Sequence, residues 1–139
     1  MLQAWSFHQY ITYTTNAGQS KILCYGEPED LEGFCIRAQV VNYAQYKALV
    51  EAWGSSMWEK YTGLLIWKTQ NPWTGLRGQL YDWYLNVTGG YFGVKQCCGD
   101  MVHVQCNPAK GNTIEIVNLL PEALDPGGKI EVRLPFSRK

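Results

Sequence analysis

Apolar residues recur at three- and four-residue steps from Leu31 through Phe34, Ala38, Val41, Ala44, Ala48 and Leu49 to Ala52. That spacing is the stripe of an amphipathic helix. It predicts one from about Asp30 to Trp53, with an extension toward Tyr61 through Met57 and Trp58. Glu27-Pro28-Glu29-Asp30 supplies the start, because proline suits a first turn and acids suit the positive end of the helix dipole. Gly54 is placed to bend or end the helix, and Glu51 and Glu59 fall on its polar side. Gly63 then breaks the pattern. The short apolar run Leu64-Leu65-Ile66, ending on Trp67, reads as a fully buried parallel strand. A loop holding Asn71-Pro72-Trp73 follows at once. Leu80 to Leu85 reads as a helical turn, Gly89-Gly90 as a break, and Tyr91 to Cys98 as a last helix.

Beyond Gly99-Asp100 the period changes to two. Met101 to Cys106, Thr113 to Val117 and Lys129 to Leu134 each alternate, with turn-forming clusters at 107–112 and 125–128 between them. Short antiparallel strands of this kind open a β-sandwich. Residues 1 to about 26 show no clear period. Helix, turn, buried strand, loop, helix is the repeat of an α/β barrel or a doubly wound sheet. In both, the loop after a strand's C-terminal end carries the site. One such unit cannot close a barrel, and three strands cannot cover a sandwich core. Each half therefore reads as a portion of a larger architecture.

Composition narrows the chemistry. Lys plus Arg and Asp plus Glu are each 12 in 139 residues, so the net charge is zero, and the only basic run is Ser137-Arg138-Lys139. A nucleic-acid partner is not expected from that balance. A membrane is not expected either, because no apolar run reaches spanning length. The start, Met1-Leu2-Gln3-Ala4-Trp5, lacks the basic and apolar regions of a signal peptide, which leaves localisation open. Asn86-Val87-Thr88 is a glycosylation sequon that matters only in a secreted chain.

Aromatic residues make up 14%, with six Trp and nine Tyr, a surface that suits carbohydrate. Trp67 and Trp73 share one strand-end loop. They offer flat faces to a sugar ring or plugs to a core, and spacing alone favours the core, since aromatic residues near a buried strand mostly pack.

Five cysteines, with no CxxC, do not make a disulfide framework in a chain this long. Cys97, Cys98, His103 and Cys106 match no finger or ribbon spacing, so ordinary reduced cysteines are expected, with no metal and no cofactor. Catalytic groups are equally scarce. His8 and His103 are the only histidines, and neither a nucleophile elbow nor a P-loop occurs. Glu27, Glu29, Asp30 and Glu32 cluster where a helix start wants acids, while Glu115 and Glu131 alternate outward on strands. No carboxylate pair sits at the Trp67 loop, so no catalytic residue is assigned.

With these elements in order, GLLIWKTQNPWTGLRGQLYD, TGGYFGVKQCC and VHVQCN strongly resemble the plant mannosylglycoprotein endo-β-mannosidases, glycoside hydrolases of family 2. LCYGEPEDLEGFCIRAQVVNYAQYKALVEAW is similar to the same enzymes, so the likeness covers most of residues 1 to 120. The Trp-x-x-x-Asn-x-Trp spacing and the Tyr81-Asp82 pair are shared with β-mannosidases and exo-glucosaminidases. The stretch TQNPWTGLRG favours the endo-acting plant type.

The resemblance implies an α/β portion followed by β structure. Residues 1–98 would be the C-terminal portion of a (β/α)8 barrel, with its last helix-strand-helix in 27–98. Residues 99–139 would begin an immunoglobulin-like β-sandwich. It further implies that Trp67 is the floor of the sugar site, that Asn71 and Trp73 line the pocket, that Asp82 packs at a helix start, and that the Trp67-Lys68 peptide is cis. The substrate implied is an oligosaccharide, the mannosyl-chitobiose core of N-glycans. In these enzymes both catalytic glutamates end earlier barrel strands, upstream of every residue matched here. The expectation is thus a portion of a retaining hydrolase that lacks its own catalytic pair. The alternatives are a truncated carbohydrate-binding or interaction module, and a short product with no stable fold.

Overall fold

The computed structural model describes residues 21–74, 78–123 and 127. Its longest element is helix α1, Leu31–Ser55. The helix starts within a residue of the expected place, but Asp30 acts as its cap rather than as a first-turn acid: Gly33 N–H donates to Asp30 Oδ1 at 2.7 Å. A cap of this kind contributes about 1 kcal/mol. The helix ends one residue past Gly54. The expected extension toward Tyr61 is a turn instead, because Trp58 adopts a left-handed φ of 68° and its N–H donates to Tyr61 O at 2.8 Å.

The segment before α1 folds back on it. Arg37 Nε donates to Tyr25 O at 3.1 Å, and Ile22 packs against Phe34, Ala38 and Val41 in the small core. Leu31 and Leu49, expected to face inward, are exposed. Only part of the α1 stripe is covered by neighbouring elements among the described residues.

Helix α2, Gly89–Cys98, packs along α1. The expected break at Gly89-Gly90 is instead its first turn. The reason is contact. A Cβ on Gly89 would lie 2.0 Å from Gln39 O, one on Gly93 would lie 2.4 Å from Tyr43 O, and one on Gly90 would lie 2.6 Å from Tyr46 Cδ2. Glycine costs a helix about 0.5–1 kcal/mol relative to alanine, and here it lets two backbones meet. Gly89 N–H donates to Gln39 Oε1 at 2.6 Å, and the Tyr43 hydroxyl donates to Gln96 Oε1.

Strands β1, Val102–Asn107, and β2, Thr113–Asn118, pair antiparallel from Val102↔Asn118 to Asn107↔Thr113. A 3₁₀ turn, Pro108–Lys110, joins them, with Gly111 and Asn112 at left-handed φ values of 73° and 59°. The expected third strand, Lys129 to Leu134, lies outside the described residues, as do His8 and Glu131. The hairpin presents its polar face to α1, through His103, Gln105, Asn107 and Glu115. Its apolar face, Val104, Ile114 and Ile116, is exposed. Glu115 therefore points inward, contrary to the reading from alternation, because the docked face of this hairpin is the polar one.

Two further expectations fail. Leu64 to Trp67 is extended but joins no sheet among the described residues, and Leu65 is 98% exposed. A parallel strand is buried only by neighbouring strands and covering helices, and none described lies beside it. Leu80 to Leu85 is not helical. Asp82 N–H donates to Asn86 O at 3.0 Å and Leu85 N–H to Asp82 O at 3.2 Å, closing a tight turn with Leu85 at φ 66°. No described helix is long and apolar enough to cross a membrane.

Candidate functional site

The loop after Trp67 is held at its base by backbone hydrogen bonds. Thr69 O accepts from Leu80 N–H at 3.1 Å and from Tyr81 N–H at 3.0 Å. Its far side is fastened to α1 by buried Asn42, whose Nδ2 donates to Gln79 O at 2.9 Å and to Thr88 Oγ1 at 3.0 Å. The Thr88 hydroxyl reaches Gln79 O as well. Gly78 is forced by the same contact, since a Cβ there would lie 2.8 Å from Asn42 Oδ1.

On this anchored base the aromatic groups stand outward. Trp67 is 94% exposed and Trp73 is 61% exposed. Lys68 Nζ lies 5.1 Å from the centroid of the Trp73 ring, within cation–π range. The Trp67-Lys68 peptide is cis, as the resemblance implies. Neither Trp67 nor Trp73 is packed into a core among the described residues. Asn71 differs from both: it is buried, and its Oδ1 has no hydrogen-bond partner among the described residues. No acidic residue occurs between Glu59 and Asp82.

Asp82 is not at a helix start. Its Oδ1 accepts from Asn86 N–H at 2.9 Å and its Oδ2 from Asn86 Nδ2 at 3.0 Å, and these bonds hold its carboxyl below the usual range. It shapes the turn that returns the chain to Thr88.

A second polar region, not foreseen from the sequence, lies where the hairpin meets α1. Glu115 accepts from Lys110 Nζ at 2.9 Å, Ser55 Oγ at 3.1 Å, Gln105 Nε2 at 3.0 Å and Asn107 Nδ2 at 3.2 Å. Glu51, expected on a solvated face, is covered by the hairpin and lies 3.2 Å from His103 Nε2. Glu51 and His103 are 52 residues apart along the chain and Ser55 and Glu115 are 60 apart, and no local motif marks either pair.

No protein-family model matches the chain. The mannosylglycoprotein endo-beta-mannosidase of Lilium longiflorum is 52% identical over 121 residues, covering 86% of this chain and 12% of the lily enzyme. The exo-beta-D-glucosaminidase of Streptomyces avermitilis is 33% identical over 103 residues, covering 72% of this chain and 11% of that enzyme. Among solved structures, the exo-chitosanase CsxA of Amycolatopsis orientalis superposes with a TM-score of 0.63 at 27% identity, over 77% of this chain and 13% of its own. A complex of a CsxA variant holds PNP-beta-D-glucosamine. The chain thus spans 11–13% of the length of these relatives.

Proposed function

From a chain that belongs, as one stretch, to the family 2 glycoside hydrolases, we propose that the Trp67 loop forms one wall of a sugar-binding site in a retaining β-mannosidase. The substrate in this reading is the mannosyl-chitobiose core of N-glycans, as the name of the lily relative suggests. The observation that carries it is Trp67. A large indole left bare on a loop anchored by buried hydrogen bonds is a surface for a ligand rather than for a core. Trp67 stacks under the sugar next to the cleaved bond, with Trp73 at the side and Asn71 supporting the pocket from beneath.

Retaining hydrolysis needs two carboxyl groups about 5–5.5 Å apart, one as acid/base and one as nucleophile. In this reading both come from sequence upstream of the match. What these residues contribute is position: a flat apolar floor orients the ring and keeps water from all but the attacking face. The hairpin fits the same frame as the opening of an immunoglobulin-like sandwich after residue 98, its exposed Val104, Ile114 and Ile116 forming the inner face of a sheet.

The test is hydrolysis of a mannosyl-chitobiose oligosaccharide by the polypeptide purified from its source, beside the same protein carrying Trp67→Ala. Loss of the stacking face should lower kcat/KM by about 30-fold, the equivalent of ~2 kcal/mol. An unchanged kcat/KM would remove Trp67 from the site. Since no acid occurs between Glu59 and Asp82, a second reading is a carbohydrate-binding module. Saturable binding of the oligosaccharide without product, by the native polypeptide, would select it.

A further inference from the structure

We propose that Glu51, Cys97 and His103 form a binding site for a divalent metal ion of the zinc class, clasping the helix pair to the hairpin. Each comes from a different element: Glu51 from α1, Cys97 from α2 and His103 from β1. A carboxylate oxygen, the thiol sulfur and an imidazole nitrogen all lie within 4.8 Å of one another. Glu51 Oε1 and His103 Nε2 are already at 3.2 Å. Cys97 is buried, the other two are half-buried, and the Cys97 thiol is held 3.8 Å from Lys47 O.

The donor set selects the metal. Thiolate, imidazole and carboxylate together suit zinc or cobalt, whereas magnesium and calcium want oxygen throughout. Metal–ligand bonds of about 2.0–2.3 Å in a tetrahedron put donor atoms ~3.5 Å apart. The widest pair must therefore close by about 1 Å, within the reach of side-chain torsions. The Cys97 thiol gives up its proton to solvent as the metal binds, so that one thiolate and one carboxylate neutralise a 2+ ion, and the fourth position is left to water. The metal displaces Lys47, whose Nζ stands 3.7 Å from Glu51 Oε1 in an ion pair that the ion replaces. Without metal the same groups are a histidine–glutamate pair beside a buried thiol.

The experiment is a cobalt(II) titration of the full chain, purified reduced and metal-free. The expected result is a thiolate-to-cobalt charge-transfer band with tetrahedral ligand-field bands at one equivalent, both removed by zinc. Cys97→Ser should abolish the charge-transfer band, and His103→Ala should weaken binding by about tenfold or more. Cys98→Ser and Cys106→Ser, at exposed thiols, should leave the spectrum unchanged. Absence of the band, or its survival in Cys97→Ser, overturns the proposal. If Cys97→Ser does not fold by circular dichroism, His103→Ala decides alone: undiminished cobalt affinity there overturns it as well.

Discussion

Glu115 shows how much one side chain gathers in this fold. The Lys110 ammonium foremost, and then the Ser55 hydroxyl and the Asn107 and Gln105 amides, hold its carboxyl down at about 2 against an ordinary value of 4.5. The folded value lies below the unfolded one, so the stabilisation is complete above about pH 4.5 and is lost as pH falls toward 2. Glu115→Gln should therefore melt below the wild type at pH 6, and the gap should close between pH 5 and pH 2. Thermal unfolding followed by circular dichroism at those pH values checks this, and a gap independent of pH would contradict it. At this scale the sequence shows which residue types a helix start wants, and Asp30 stands at the start so marked. It does not show which face of a hairpin is docked: alternation alone turns Glu115 outward, although Lys110, Gln105 and Asn107 lie within ten residues of it.

Among the elements, the seam of Gly89, Gly90 and Gly93 fixes how closely α2 lies on α1. Gly93→Ala would place its methyl 2.4 Å from the Tyr43 carbonyl. Backbone cannot swing aside as a side chain does, so the helices must part. The expected cost is about 1–3 kcal/mol, as for overpacking elsewhere. Gly63→Ala, with nothing within 4 Å of the added methyl, should stay within about 0.5 kcal/mol of wild type. Urea denaturation of the two variants checks the contrast, and equal midpoints would refute the seam. The long helix α1 was legible in its periodicity and in the acids at its start. Gly89-Gly90 was misread because glycine's local cost is visible in one sequence and the surface it fits is not. Leu80 to Leu85 reads as a helical turn, and the structure differs because backbone bonds between Asp82, Leu85 and Asn86, reinforced by the Asp82 carboxylate, close a tight turn that no periodicity marks.

Among the described residues, the exposed apolar groups include the extended segment at Leu65 and Trp67 and the outer face of the hairpin at Val104, Ile114 and Ile116. Exposed strand edges and apolar patches promote association. Leu65→Lys and Ile116→Lys should each raise the soluble yield of the 139-residue chain while leaving its far-ultraviolet spectrum unchanged. Sedimentation of matched lysates measures this, and an unchanged soluble fraction would count against exposure of these faces. The order of the architecture, helix and loop first and hairpin last, was legible from the switch in hydrophobic period. The burial of Leu64 to Trp67 was not, because burial belongs to neighbours and a run of leucines states only that neighbours are wanted. The cis peptide at Trp67-Lys68 came from the resemblance, since no spacing of residues announces it.

Asn42 has one consequence for engineering. Its amide nitrogen carries two hydrogens, and it spends one on Gln79 O and the other on Thr88 Oγ1. Both feet of the segment 79–88 thus stand on a single rivet set in a rigid helix. The turn at 82–86 takes no part in these two bonds, whereas Leu80 and Tyr81 carry the base of the Trp67 loop through Thr69 O. Residues 82–86 are in that sense a replaceable cassette, a place to graft foreign turns beside the Trp67 loop while its footing stays where it is.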